Sequence, residues 1–365
     1  MSCQTIVYPS WFEALQLIGT LPLQSASGSV KLTYLTPDRV FQIHPSLTRD
    51  LQPSLAESVN RWIGTSPDRV FTFRKWLSIL VVNDAVGSWN VDFPELKSFG
   101  FHREGFLEFP WILWERIHGV GFDEILKLYE WRNDVSSILE SLIVVVARWH
   151  ERSLMQQHLF DFEEISLIDF YSRRLKFLLD SIETLMVGAE GYGDVFLRVH
   201  SVLLKYINNI PSFIGRNERT VMIHGDFRGE NLVVDAERGK IWILDYEQGL
   251  YGGDWLSDLW KIGIVLDESP TYTVDIGKNL RDKLVQVYLD VRISEGSSPE
   301  SFYVLDHTDI LHGRIGLMRL DLLVSSLIFR YLMGWHFYEA QEDGRKKRRG
   351  DKFVLDLIHQ FFGLK

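Results

Sequence analysis

The chain has 365 residues, 46% of them apolar and 24% charged, with a formal net charge of -10. That is room for two domains or one two-lobed unit with large cores, and it excludes a disordered composition. The acidic balance argues against a general nucleic-acid binder, which needs a broad basic face, and the single cysteine, Cys3, excludes an internal disulfide or a cysteine metal cluster.

The start, MSCQTIVYPS, lacks the basic end and apolar core of a signal peptide, and Cys3 within it reads as incidental. The first part of the chain, to about residue 110, is expected to be strand-rich. Leu23 to Leu35 reads as two extended runs around Ser25-Ala26-Ser27-Gly28-Ser29. Val30 to Tyr34 alternates at period two, as a half-buried strand should. Thr36-Pro37-Asp38 is a turn signal, and Val40 to Ile43 resumes the apolar run. Ser54 to Ile63 reads as a helix, with Ser54 and Glu57 at capping-box spacing. The string Thr36-Pro-Asp-Arg-Val-Phe returns almost unchanged from Ser66, which is coincident turn chemistry and not a repeat architecture.

Pro110 to Ile117 is an apolar strand candidate, and a chain crossing between two lobes fits here. From about residue 122 the spacing turns helical: Ile125 to Trp131, Val135 to Trp149, Tyr171 to Met186 and Val195 to Ile207. Leu320 to Phe337 is interrupted by Asp321, Ser325, Ser326 and Arg330, so it reads as a core helix and not a membrane span. A soluble cytoplasmic protein without membrane contact is the expectation. A strand-rich first third followed by a helical remainder implies an α+β chain of two lobes with a cleft between them.

Residues 221 to 262 interrupt the helical trend. The short apolar run Val221-Met222-Ile223 leads into His224-Gly225-Asp226, and Asn231 lies five residues beyond Asp226. Leu232-Val233-Val234 and Ile241-Trp242-Ile243-Leu244 are buried-type strands flanking a polar turn, and the second ends at Asp245. A hairpin built this way brings Asn231 and Asp245 to neighbouring strand ends, with Asp226 on the entering loop. Three converging oxygen-bearing side chains suit phosphoryl transfer, which needs hard ligands for magnesium and a carboxylate beside the attacking hydroxyl. The alternative is that all three are ordinary turn residues, which leaves their flanking of paired apolar strands unexplained.

His224-Gly225-Asp226 with Asn231, then Leu244-Asp245-Tyr246-Glu247, resembles the aminoglycoside phosphotransferase and choline kinase-like family, and His-x-Asp-x-x-x-x-Asn is similar to the protein-kinase catalytic loop. The resemblance implies a protein-kinase-like fold, with a nucleotide-binding lobe over residues 1–115 and a catalytic and substrate-binding lobe over 116–365. By it Asp226 is the catalytic base, Arg228 a cation on the transferred phosphate, and Asn231 and Asp245 the ligands of Mg2+. ATP or GTP is the implied co-substrate and a small-molecule alcohol the implied acceptor. His224 would brace the loop, and Gly253-Asp254 with Asp258 would hold it from behind. His150 is expected to be a packed structural histidine.

For the nucleotide, the resemblance points to Gly28 and Ser29 in a covering hairpin, or else a plain turn. It also points to the backbone at Glu115 to Ile117 for the adenine edge, or else an ordinary buried strand. Where the family has a strand lysine paired with a helix glutamate, this sequence has Gln42; Glu57 is the candidate partner, or only the capping residue already described. Lys31, on the neighbouring strand, is a candidate substitute for the missing charge.

On the substrate side, Tyr246, Tyr251, Trp255, Trp260, Trp335, Phe337 and Tyr338 suit a cation-holding aromatic box, and Glu247 and Asp254 suit an amino sugar. Aromatic residues at helical spacing are more often core. The basic run Arg345 to Arg349 reads as a solvated loop. Gln42 motivates a second reading, a degenerate kinase-fold binding module without turnover. A kinase acting on protein is the less favoured third, because no long activation loop follows Asp245.

Overall fold

The computed structural model describes residues 6–7, 32–35, 38–43, 46–47, 74, 77, 89–105, 107–127, 134–155, 165–186, 193–246, 252–265 and 276–332. The expected helix at 54–63, the second turn string at 66–71 and the basic run at 345–349 lie outside them, as do Gly28, Ser29, Lys31 and Glu57.

Early strands β1 (Ile6–Val7), β2 (Leu32–Leu35), β3 (Arg39–Ile43) and β4 (Ser46–Leu47) precede β5 (Asn90–Asp92), and a long hairpin follows, β6 (Leu96–Glu104) with β7 (Leu107–Glu115). β1 pairs with β4, and β2-β3-β7-β6 form an antiparallel sheet. Its register places Gln42 opposite Ile112 and Val40 opposite Trp114, so these four side chains share one face. Ile112 and Trp114 are buried in the main core there. Phe41 and Trp111 belong to the other face, with ring centroids 5.7 Å apart.

Past β7 the chain makes β8 (Val120–Gly121) and then helices: α1 (Phe122–Ile125), α2 (Asp134–Met155), α3 (Leu167–Met186) and α4 (Gly193–Phe213). Each of the last three is longer than its apolar spacing predicts. α3 gains its first turn from a cap: the Ser166 hydroxyl accepts the Asp169 amide at 3.0 Å and donates to the Asp169 carboxylate at 2.6 Å. The expected hairpin follows as β9 (Leu232–Asp235) and β10 (Lys240–Ile243), antiparallel, with Ile243 opposite Leu232. They join β8 and β5 in a second sheet, ordered β5-β10-β9-β8. Here β5 runs parallel to β10, so residues 90–92 of the early chain become part of the sheet that carries the hairpin.

α5 (Leu256–Lys261), α6 (Lys278–Ser294) and α7 (Thr308–Leu332) complete the helical lobe. The interruptions of α7 at Asp321, Ser325 and Ser326 are buried and not a wet face. Asp321 and Ser325 both accept from the buried guanidinium of Arg174 at 2.8 Å. Charges that leave water are kept by such pairing. Among the described residues no helix is long and apolar enough to cross a membrane. A strand-rich lobe and a helical lobe thus share one hydrophobic cluster, in which Trp114 of β7 and Phe93, just past β5, meet Tyr246, and Phe93 also meets Trp149.

Candidate active site

The loop at residues 224–231 enters the hairpin through a single 3-10 turn, Gly229–Asn231. Its backbone is anchored from below by Asp258 on α5. One Asp258 oxygen accepts the His224 amide at 2.7 Å and the other accepts the Gly225 amide at 3.0 Å. Gly225 sits at φ 81, a left-handed conformation that glycine adopts without strain and that lets both amides turn toward one carboxylate.

His224 is fully buried and its role is fixed by its partners. Its Nε2 lies 2.7 Å from the Leu244 carbonyl, which only accepts, so Nε2 carries the proton. Its Nδ1 then accepts the Asp226 amide at 3.2 Å. Burial holds this imidazole below its ordinary pKa and therefore neutral, against the opposing pull of Asp258 and Asp226. A single ring ties the strand end at Leu244 to the loop at Asp226.

The Asp226 carboxylate is where the predicted residues converge. Asn231 Nδ2 donates to the Asp226 carbonyl at 2.8 Å and to Oδ2 at 3.1 Å. Arg228 Nε reaches the same Oδ2 at 3.1 Å, and a second guanidinium nitrogen pairs with Glu230 at 3.2 Å. Lys261 Nζ stands 3.9 Å from Oδ1 and donates to the Gly225 carbonyl. Burial alone would raise the Asp226 carboxyl, but Arg228 and then Lys261 outweigh it and hold it below the usual carboxylate range. Asp226 is ionised at neutral pH, and its side chain keeps 22% of its surface exposed.

Asp245 follows by register. The Leu244 amide donates to the Asn231 carbonyl at 2.8 Å, so Asp245 is one residue past a hydrogen-bonded partner of Asn231. It is the one described non-glycine residue at positive φ, 51. That conformation costs roughly 1 kcal/mol and persists where surroundings over-determine it. With the Asn231 nitrogen committed to Asp226, its Oδ1 is the end left for a ligand.

Among the described residues no group of three or more His, Cys, Asp or Glu side chains would hold a metal alone. An amide oxygen and one carboxylate nevertheless fit Mg2+, which characteristically takes one or two protein oxygens and completes its shell with phosphates and water.

The remaining predicted residues fall as follows. The Gln42 amide oxygen accepts from the Trp114 indole at 2.8 Å. At the end of β7, the Glu115 amide donates to the Glu95 carbonyl and the Arg116 amide to the Asp38 carbonyl, at 2.8 and 3.1 Å. Ile117 is the residue just past them. His150 is buried: its Nε2 donates to Asp258 at 3.1 Å, and its Nδ1 receives the Tyr288 hydroxyl at 2.8 Å. Asp254 is committed to a buried Arg314, which also pairs with Glu218, and to the Tyr171 hydroxyl. Tyr246, Trp255 and Trp260 are core side chains. Tyr251, Trp335, Phe337, Tyr338 and Glu247 lie outside the described residues.

Two site residues escaped the sequence reading. Lys261 lies three residues past Asp258, and i, i+3 spacing on α5 is the signal that would have put both on the loop-facing side. Asp123, at the head of α1, sits where a side chain on Gly229 would fall. Burial raises its carboxyl above the ordinary range, with Lys127 and Arg228 opposing.

A family model described as the phosphotransferase enzyme family matches residues 65–296, more than half of the chain. No curated protein matches the sequence. Among solved structures, the gentamicin complex of APH(2")-IIa is 14% identical, with a TM-score of 0.50, covering 98% of each chain. The complex of APH(2")-IIIa with GDP and kanamycin is 12% identical at a TM-score of 0.50, covering 96% of this chain and 98% of that one. The GDP complex of aminoglycoside 2'-phosphotransferase-IIIa is 11% identical at 0.50, covering 97% and 99%. At these identities the likeness is one of fold, the two-lobed kinase-like arrangement.

Proposed function

This chain belongs to the phosphotransferase enzyme family, and we propose that it transfers the γ-phosphate of ATP or GTP to a hydroxyl of a small molecule. The observation that carries this reading is the cluster at the hairpin mouth. An ionised Asp226 is held by Asn231 and Arg228, and Asp245 is one residue past a backbone partner of Asn231. In the proposed reaction Asp226 orients the acceptor hydroxyl and takes its proton. The oxygen–phosphorus bond forms as the bond to the β,γ-bridging oxygen breaks, and a nucleoside diphosphate leaves. Arg228 turns from Asp226 toward the transferred group and offsets its charge. Asn231 and Asp245 would hold Mg2+, which when bound neutralises charge on the phosphates. The amides of Glu115 and Arg116 are engaged within the protein, so in the proposed purine contact at Glu115 to Ile117 these two residues would offer carbonyls and Ile117 the remaining backbone. We assign residues 1–115 to nucleotide binding and 116–365 to catalysis and acceptor binding, with the protein acting in the cytoplasm.

Asp226→Ala is expected to abolish transfer of labelled phosphate across a panel of amino sugars, choline-like compounds and other alcohols. It should leave the melting temperature within a few degrees of the native one. Full transfer by the variant rejects Asp226 as the base. Nucleotide binding by the native chain with neither transfer nor hydrolysis favours the alternative, a binding module of the same fold.

A further inference from the structure

Gln42 occupies the strand position at which the family's phosphate-holding lysine is expected, and its amide is already engaged. The register of β3 on β7 puts Gln42 and Trp114 on one face of the sheet, and the indole N–H donates to the Gln42 oxygen at 2.8 Å. The match is chemical as well as geometric. An indole offers only a donor, so it needs an acceptor beside it; a lysine has none and would leave that N–H without a partner.

The fixed indole lies edge-on to Tyr246, with centroids 5.7 Å apart and an interplanar angle of 77°. Tyr246 is also edge-on to Phe93 at 5.3 Å and is buried to 1% exposure. Tyr246 is the residue after Asp245, whose backbone holds the left-handed conformation. On the other side of Asp245, Leu244 is bonded through its amide to Asn231 and through its carbonyl to His224. The strained residue is therefore clamped at both neighbours, by the loop at residues 224–231 before it and by the rings of Trp114 and Phe93 around Tyr246 after it.

We infer that Gln42 is a positioning residue: through Trp114 and Tyr246 it sets the orientation of the Asp245 carboxylate, and it does not itself grip the nucleotide phosphates. The inference rests on the phosphotransferase reading, in which Asp245 holds the metal of the nucleotide complex.

The test measures Mn2+ affinity by electron paramagnetic resonance at saturating ADP or GDP, and metal-free nucleotide affinity by calorimetry, on the full chain. Gln42→Leu and Trp114→Phe are each expected to weaken Mn2+ about fivefold, the worth of one neutral hydrogen bond. Metal-free nucleotide affinity should stay within about twofold, inside that same single-bond scale. Gln42→Glu, which restores an acceptor for the indole, should bind Mn2+ like the native chain. The double variant Gln42→Leu/Trp114→Phe should be no weaker than either single one, because both remove the same bond. Unchanged Mn2+ affinity in Gln42→Leu overturns the inference. So does Gln42→Lys binding nucleotide more tightly, which would mean that position 42 faces the phosphates. If Gln42→Leu does not fold, Trp114→Phe reads the same quantity, since it keeps a ring and removes the donor. A native chain that binds neither nucleotide defeats the phosphotransferase reading itself, a result distinct from a native chain that binds while its variants are unaffected.

Discussion

Two cations share the Asp226 carboxylate, and they do different work. Arg228 bonds Oδ2 and is itself shared with Glu230, on the exposed side of the loop. Lys261 approaches Oδ1 from α5 and also donates to the Gly225 carbonyl, and only 16% of its side-chain surface is exposed. In the proposed reaction Arg228 is the cation that turns toward the phosphate, whereas Lys261 is tied to the backbone beside Asp226. Removing a charged donor from a partly buried carbonyl costs about 2 kcal/mol. Lys261→Met is accordingly expected to lower kcat for nucleotide turnover about thirtyfold with little change in nucleotide KM, because the group acts on the proposed base and not on the substrate. Lys261→Arg should recover part of the loss. Steady-state kinetics of the three proteins check this, and a rise in KM at constant kcat contradicts it.

The element proposed to carry the chemistry is a hairpin and the loop that feeds it, and both were readable locally. Apolar runs on either side of a polar turn predict β9 and β10, and the strands form with Asn231 and Leu244 bonded across their mouth. The loop conformation depends on what packs against it. Gly229 admits the Asp123 carboxylate from α1, and a β-carbon there would collide with it. Asp123 is short and part of its helix backbone lies alongside, so it has little room to retreat. Gly229→Ala is expected to displace the Gly229–Asn231 turn and reduce turnover more than tenfold, with stability lowered by about 1–3 kcal/mol, the usual range for overpacking. Urea unfolding alongside activity separates the two effects. Loss of stability with full activity would show that the turn tolerates the shift.

At the scale of the whole molecule, the helical lobe is tied together by buried polar chains. One runs from Arg292 to the Tyr288 hydroxyl, on to His150 and then to Asp258 beneath the loop at residues 224–231. Another joins Arg314 to Asp254 and Glu218, with the guanidinium lying over Trp255. The buried histidines give the fold a pH dependence. Burial holds His150 and His224 below their ordinary pKa, so the native protein refuses protons that the unfolded chain accepts near pH 6.5. Stability is then complete above that value and declines as the pH falls through the folded values. Asp226 and Asp258, also held low in the fold, extend the decline into stronger acid. The urea midpoint is expected to drop from pH 7.5 to pH 5.5, and a midpoint that rises over that interval would contradict the neutral assignment.

The sequence by itself determined the two-lobed class, the three long helices from residue 134, the β9–β10 hairpin and the spacing of Asp226, Asn231 and Asp245; the helix it placed at Ile125 to Trp131 instead spans Phe122–Ile125 among the described residues. Periodicity, turn chemistry and the motif are local properties, legible over a few residues. The aromatic core around Tyr246, Trp255 and Trp260 was legible as the commoner use of such residues. Tertiary structure alone decided the rest. Gln42 meets Trp114 across 72 positions, Arg174 meets Asp321 across 147, and Asn90–Asp92 join a strand that follows them by well over a hundred residues. Such pairings depend on strand register and helix packing, which are set by burying whole faces at once. No single residue's chemistry announces which distant face it will share.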